Sequence, residues 1–234
     1  MSSADRRFLP RWEVAGVDGA VVVIDVIRAF TTAAFAFGAG AAEIFLVATV
    51  DEALAFKAAR RGCIAMGEDH GRKPAGFDLP NSPVLASRAD LDGRTVVQRT
   101  SAGTQGVFAA SSATRLWAAG LVCASATAAA VAASGLGDPT YVITGRFPDR
   151  PDGTGEEDLL AASFIESVRL GIAVEPSATA AAVLETDDAR HTLQLGAEHV
   201  HPEDIEHCVR IDHFDFAMEV ERTADGLRLV SRAP

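Results

Sequence analysis

A chain of 234 residues with 48% hydrophobic content can bury one sizeable core, so a second, separate domain is not required. Its formal net charge of -11 sets it against nucleic acid and anionic membrane surfaces, both of which would repel it as a whole. Three widely spaced cysteines, Cys63, Cys123 and Cys208, form no C-x-x-C pair, and MSSADRRFLPRWEV lacks the apolar core of a secretory signal; the expectation is free, buried thiols in a cytoplasmic protein.

In chain order, AVVVIDV (residues 20–26) has the continuous branched character of a strand buried on both faces, and RAFTTAAFAFGAG supplies a helix ending in glycines. EIFLVAT and VDEALAFKAARRG repeat the unit, with Asp51 near the helix start and Gly62 at its stop. Further strands are expected near Cys63 to Met66, Arg94 to Gln98, Arg115 to Trp117, Leu121 to Cys123 and Tyr141 to Thr144, with helices after most of them. The uncharged run from Ala118 to Gly137 has the length of a membrane span, but Ala, Gly, Ser and Thr dominate it; it reads as a short strand and a packed helix. Strand then helix, repeated, predicts an α/β fold: a largely parallel sheet flanked by helices in three layers. The last third alternates in polarity around Asp225-Gly226, a hairpin-turn dipeptide, which predicts an antiparallel edge or cap. The whole chain, 1–234, is expected to form one domain, with 200–234 its C-terminal helix and antiparallel element. The long Gly145 to Asp158 loop is of the kind that carries function.

Open α/β sheets bind ligands outside the carboxyl ends of their strands, so residues just after each strand are the candidates. After the first strand come Asp25 and Arg28, then Thr31 and Thr32. After Met66 come Glu68, Asp69, Arg72 and Lys73, leading to Gly76, Asp78, Asn81 and Ser82; Ser82 before Pro83 is a helix start whose amides can face an anion. After Gln98 come Thr100, Ser101, Gly103 and Thr104, and the long loop ends in Glu156, Glu157 and Asp158. Each piece alone reads as an ordinary cap or first turn. Together they place carboxylates, cations and helix N-termini where an anionic ligand and a hard cation would be held, and carboxylate oxygens suit Mg²⁺.

Familiar signatures are absent. Ile27 stands where the general acid of aspartyl-phosphate phosphatases would follow Asp25, no cysteine has an arginine six residues on, and there is no nucleotide-phosphate loop or dinucleotide fingerprint. His199, His201 and His207 suggest zinc, but Pro202 with Glu203 and Asp204 makes a simpler helix start.

IDVIRAFTT, GFDLPNSP, RTSAGT and EED, in this order, resemble the motifs of the 2-phosphosulfolactate phosphatase family, over most of the chain up to about Ala162. The resemblance implies a Mg²⁺-dependent phosphatase that releases phosphate from 2-phospho-3-sulfolactate in coenzyme M biosynthesis, with an α/β fold unlike common phosphatases. By matching positions it implies Asp25, Arg28, Glu68, Gly76, Asp78, Asn81, Ser82, Thr100, Gly103, Thr104, Glu157 and Asp158 as site residues. Metal would be shared among Asp25, Glu68, Asp78, Glu157 and Asp158. Arg28, with Arg72 or Lys73, would clamp the anion, and amides at Ser82 and Gly103 to Thr104 would cradle phosphate. Asp25 stands as either nucleophile or ligand. The chain departs from the family pattern at Asp69, where an arginine is usual, at Pro80, at Arg99 and at Ser101-Ala102. These departures leave open a phosphatase of another phosphorylated hydroxy acid, or a silent binder of an anionic metabolite. The expected partner is a small anionic phosphorylated substrate, with neither nucleic acid nor membrane; a homodimer is compatible with the chain.

Overall fold

A computed structural model describes residues 7–147 and 153–233. Ten strands form one mixed sheet in the order β1-β8-β2-β7-β9-β10-β3-β6-β4-β5. They are β1 (Phe8–Pro10), β2 (Ala20–Ile24), β3 (Glu43–Leu46), β4 (Ile64–Gly67), β5 (Leu79–Pro80), β6 (Thr95–Arg99), β7 (Arg115–Ala119), β8 (Thr140–Ile143), β9 (Ala217–Thr223) and β10 (Gly226–Arg232). The helices around it are α1 (Ala29–Gly38), α2 (Val50–Ala59), α3 (Pro83–Ser87), α4 (Gly103–Ala109), α5 (Ala124–Ala133), α6 (Glu156–Arg169), α7 (Pro176–Leu184), α8 (Asp187–Leu193) and α9 (Asp204–Cys208). The α/β character and the antiparallel C-terminal strands agree with the sequence reading. Among the described residues no helix is long and apolar enough to cross a membrane.

The position of the C-terminal hairpin differs from expectation. β9 and β10 are neither an edge nor a cap; they lie at the centre, β9 antiparallel to β7 and β10 antiparallel to β3. Their alternation explains why. Ala217, Met218 and Leu229 are fully buried, and the intervening charges pair across strands instead of facing water: Arg115 with Glu219 at 2.8 Å, Arg228 with Glu221 at 2.6 Å and with Glu43 at 3.1 Å. The hairpin thus joins two parallel half-sheets, β1-β8-β2-β7 and β3-β6-β4-β5.

Three successive antiparallel pairings make the two halves run in opposite senses along the sheet. The carboxyl ends of β2 and β6 nevertheless meet, because Gly103 packs on Asp25. β2 and β6 stand five steps apart in the order, a span over which the usual strand twist of roughly 20–25° per step adds up to about 100–125°.

β2 is buried along its whole length, and α1 is buried from Ala29 to Phe37, as a helix apolar all round requires. The main core collects Ile24, Phe30, Trp117, Tyr141 and Ile165. Truncating Ile24 to Ala there would cost roughly 2–5 kcal/mol. α2 starts on a capping box, Thr49 with Glu52, and covers a smaller cluster around Phe45, Phe77 and Val97. Leu121–Cys123, expected as a strand, is a 3-10 turn running directly into α5, with the Thr127 hydroxyl donating to the Cys123 carbonyl at 2.8 Å. The three cysteines are free and buried.

Candidate active site

One pocket of roughly 220 Å³ opens where β2, β4, β6 and β8 end, and it is small enough to suit a metabolite rather than a large ligand. Its floor is Asp25, which follows β2 and is 5% exposed. The Ala29 N–H at the start of α1 donates to Asp25 Oδ1 at 2.8 Å. On the other side, a Cβ at Gly103 would stand 2.8 Å from Asp25 Oδ2, so the backbone opening α4 can pack against this carboxylate only because residue 103 is glycine.

Asp158 sits beside it, in the first turn of α6, and is 1% exposed. It accepts from the Val26 N–H at 2.9 Å and the Gly145 N–H at 2.8 Å, bridging the ends of β2 and β8. Glu157 is 3% exposed, and its Oε2 has no hydrogen-bond partner among the described residues. A Cβ at Gly145 would stand 2.6 Å from Glu157 Oε1, a second place where glycine lets backbone approach a carboxylate.

Burial governs the electrostatics. Desolvation raises the Asp25 carboxyl to about 6, with the charge of Glu68 adding to the rise while the Ala29 N–H opposes it. Desolvation likewise holds Glu157 and Asp158 well above the usual carboxylate range; Asp158 and Asp188 add to the rise at Glu157, and Asp25 adds to it at Asp158. Three buried carboxyl groups therefore crowd one wall with too little positive charge to satisfy them.

The opposite wall is polar but organised. Glu68 accepts from Ser101 N–H at 2.5 Å and Gly71 N–H at 2.6 Å, and the Ser101 hydroxyl donates to it at 3.0 Å. Asn81 lines the pocket while buried, with an Oδ1 that has no partner among the described residues. Arg28, 3% exposed, brings the guanidinium.

Of the residues read from the sequence, the pocket collects Asp25, Arg28, Glu68, Asn81, Ser101, Glu157 and Asp158. Thr31, Ser82, Thr100, Gly103 and Thr104 stand behind it. Thr31 donates to the Val26 carbonyl, Ser82 donates to Asp204, and Thr100 and Thr104 bond each other through backbone and hydroxyl. Two of the amides expected to cradle phosphate are already used, Ser82 N–H donating to the Pro80 carbonyl and Thr104 N–H to the Thr100 hydroxyl, while the Gly103 backbone packs against Asp25.

Gly76 and Asp78 lie elsewhere. Asp78 precedes the edge strand β5, pairs with Lys57 at 2.7 Å and accepts from the Ala65 N–H at 2.8 Å; Lys57 also donates to the Gly76 carbonyl. Because β5 runs parallel to β4, Asp78 stands beside Ala65, early in β4, whereas Glu68 stands past its end. Arg72 and Lys73 are exposed and absent from the pocket lining; the Arg72 guanidinium and the Lys73 backbone N–H meet the His199 ring.

Residues with no sequence prediction complete the wall. Asp188, His191, Thr192 and Leu195 line the pocket at i, i+3, i+4 and i+7, one face of α8 and its C-terminal extension. That helical spacing was readable in TDDARHTLQL, but nothing in the segment's composition tied it to the strands' carboxyl ends. Leu195 reaches Gly71, where a Cβ would meet it at 2.7 Å. Thr144, just past β8, is another addition, as are Ile27, His70 and Gly145.

The departures from the family pattern separate spatially. Asp69 and Arg99 form an ion pair at 2.6 Å, Ala102 lines the pocket, and Pro80 is buried in the two-residue edge strand, where a missing N–H is tolerated.

Comparison with known proteins places the chain in a family. The family model described as 2-phosphosulpholactate phosphatase matches residues 11–223. A Bacillus subtilis protein named "Probable 2-phosphosulfolactate phosphatase" is 32% identical over 208 residues, covering 87% of this chain and 88% of its own. A Thermoplasma acidophilum protein of the same name is 30% identical over 198 residues, 85% of this chain and 84% of its own. One from Carboxydothermus hydrogenoformans is 40% identical over 124 residues, 53% of this chain and 51% of its own. With the match spanning nearly every element that builds the pocket, the chain belongs to the 2-phosphosulfolactate phosphatase family and is a phosphoric monoester hydrolase.

Proposed function

We propose that this protein hydrolyses 2-phosphosulfolactate to 3-sulfolactate and phosphate, using Mg²⁺. The observation that carries the metal reading is Glu157 Oε2, a carboxylate oxygen buried without a partner among the described residues, beside Asp25 and Asp158. Among the described residues no three His, Cys, Asp or Glu side chains are gathered as a ready cage. Mg²⁺ keeps several waters and needs only one or two protein carboxylates beside a phosphate. The hard oxygen donors of Asp25, Glu157 and Asp158 fit it. When bound, the ion would neutralise charge on the transferring phosphoryl group.

The chain's own groups do the rest. Arg28 offers a guanidinium fork for phosphate or carboxylate oxygens. Asn81, buried in the pocket lining, would donate from its side-chain NH₂ to the substrate. Asp25, with its proton affinity raised to about 6, exchanges a proton at its carboxylate close to neutral pH. The first turn of α6 and one face of α8 form two sides of the pocket around the reacting centre. Phosphoryl transfer asks mainly for such positioning and charge neutralisation.

The substrate carries phosphate, carboxylate and sulfonate, and Asp69 would be expected to repel it. Asp69 is neutralised by Arg99 at 2.6 Å, so this departure adds no net negative charge beside the pocket and supports retaining the sulfonate substrate. The test is phosphate release from 2-phosphosulfolactate with Mg²⁺ and with excess chelator, beside other phosphorylated hydroxy acids. Release confined to a different ester, or equal in chelator, would overturn the substrate or the metal respectively.

A further inference from the structure

Asp204 is completely buried at the start of α9, far in sequence from every motif of the pocket. Four groups converge on its carboxylate: the Ser82 hydroxyl at 2.6 Å, the Arg28 guanidinium at 3.0 Å, the His201 N–H at 2.9 Å and the Val84 N–H at 3.3 Å. Two of these belong to segments that enter the pocket. Arg28 lines it directly, and Ser82 immediately follows Asn81, which also lines it and carries a side-chain NH₂ donor.

We propose that Asp204 is a positioning residue: it fixes the Arg28 fork and the Asn81-Ser82 turn so that one guanidinium and one amide face the same bound phosphate. The inference rests on the phosphatase reading above and goes beyond it by naming what aims the anion clamp.

The geometry favours positioning over simple packing. Arg28 uses Nη1 for both Asp204 and the His199 carbonyl at 3.1 Å, so both anchors are on one nitrogen of a residue that itself lines the pocket. A buried guanidinium without a counter-charge would be strongly disfavoured, and a carboxylate at one edge of the fork is the arrangement that both neutralises and orients it. Ser82 serves the same centre: its Oγ donates to Asp204 and accepts from the Leu85 N–H at 3.2 Å, so α3 is capped and tied to α9 through one hydroxyl. Pro83 at the first helical position stiffens the segment that follows Asn81.

Isothermal titration with inorganic phosphate in Mg²⁺ tests this without depending on which ester is the substrate. Asp204→Asn should weaken phosphate binding about 10- to 100-fold, the range of a charge-assisted contact that has lost its aim. Arg28→Met should lose a similar factor, and adding Asp204→Leu to Arg28→Met should cost less than Asp204→Asn costs in wild type, because only the share carried through Asn81 is left to lose. That pair leaves no uncompensated buried charge, so it keeps the test readable where Asp204→Asn unfolds the chain. Wild-type phosphate affinity in folded Asp204→Asn overturns the proposal, as does a loss on adding Asp204→Leu to Arg28→Met that equals the loss in Asp204→Asn alone. A wild-type chain that binds phosphate yet does not hydrolyse 2-phosphosulfolactate contradicts the substrate reading alone.

Discussion

Asp25 and Asp158 meet at the hydroxyl of Thr144, 3.4 and 3.2 Å from its Oγ1. That hydroxyl has a single proton, and the Ile24 carbonyl lies nearer, at 2.8 Å. One proton cannot serve two carboxylates and a carbonyl, so the pair is under-compensated by the chain itself. A cation satisfies this need, and Asp25 is the member on the pocket floor. Asp25→Asn is therefore expected to reduce turnover at least ~100-fold while leaving the fold intact. Steady-state kinetics beside circular dichroism checks it; near-normal turnover in a folded variant would make Asp25 a structural cap.

Stability and activity should move in opposite directions at Glu157. Its proton affinity is raised by burial and by Asp158 and Asp188, so the folded chain holds a proton that the unfolded chain has released. For a raised carboxylate the stability contribution is complete below the unfolded value, about 4, and is lost as pH rises through the folded value. Metal-free Glu157→Gln should thus be more stable than wild type at pH 8, with the gap shrinking toward pH 5. It should also lose the Mg²⁺-induced rise in Tm, about 5–10 °C for wild type at a hundredfold excess over Kd. Urea unfolding at the two pH values and a thermal shift with Mg²⁺ read both effects; a Gln variant less stable at pH 8 would refute the crowding argument.

Asp78 is expected to behave as a structural residue. Its contacts are Lys57 and the Ala65 N–H, and its side chain is 36% exposed. Asp78→Ala should cost about 1 kcal/mol, from one lost hydrogen bond and a half-exposed ion pair, with kcat unchanged. A fall in kcat without a fall in Tm would return Asp78 to the site.

The Asp69–Arg99 pair predicts a substrate effect with little stability cost. Its side chains are 44% and 15% exposed, and such pairs contribute about 1 kcal/mol or less. Asp69→Asn leaves the guanidinium uncompensated near Glu68 and Ser101, to both of which Arg99 also donates. KM for the sulfonate-bearing ester should fall by up to about fivefold, relative to an ester without sulfonate. An unchanged ratio would place Asp69 outside the recognition surface.

The parallel units were legible because β2 is a run of branched apolar residues and α1 follows at once with a buried alanine-rich face. Asp25, Glu68 and Asp158 were legible for the same reason: each lies next to the end of an element whose type the pattern reveals. Asp78 was misplaced because GFDLPNSP looks like one unit, yet Leu79 and Pro80 form an edge strand that puts Asp78 and Asn81 at opposite ends of it. The central hairpin was read as peripheral because period-2 alternation ordinarily marks a solvated face, whereas here Glu219, Glu221 and Arg228 find partners across neighbouring strands. α8 and Asp204 carried no local signal, since their roles come from long-range packing against the loops after β4 and β2.

The central claim is that a cation compensates the buried carboxylates and makes the pocket a phosphatase. Phosphate release from 2-phosphosulfolactate, measured in parallel for wild type with Mg²⁺, wild type in excess chelator and Glu157→Gln with Mg²⁺, tests it most directly. The account predicts turnover only in the first; equal turnover in chelator, or wild-type turnover by Glu157→Gln, would contradict it.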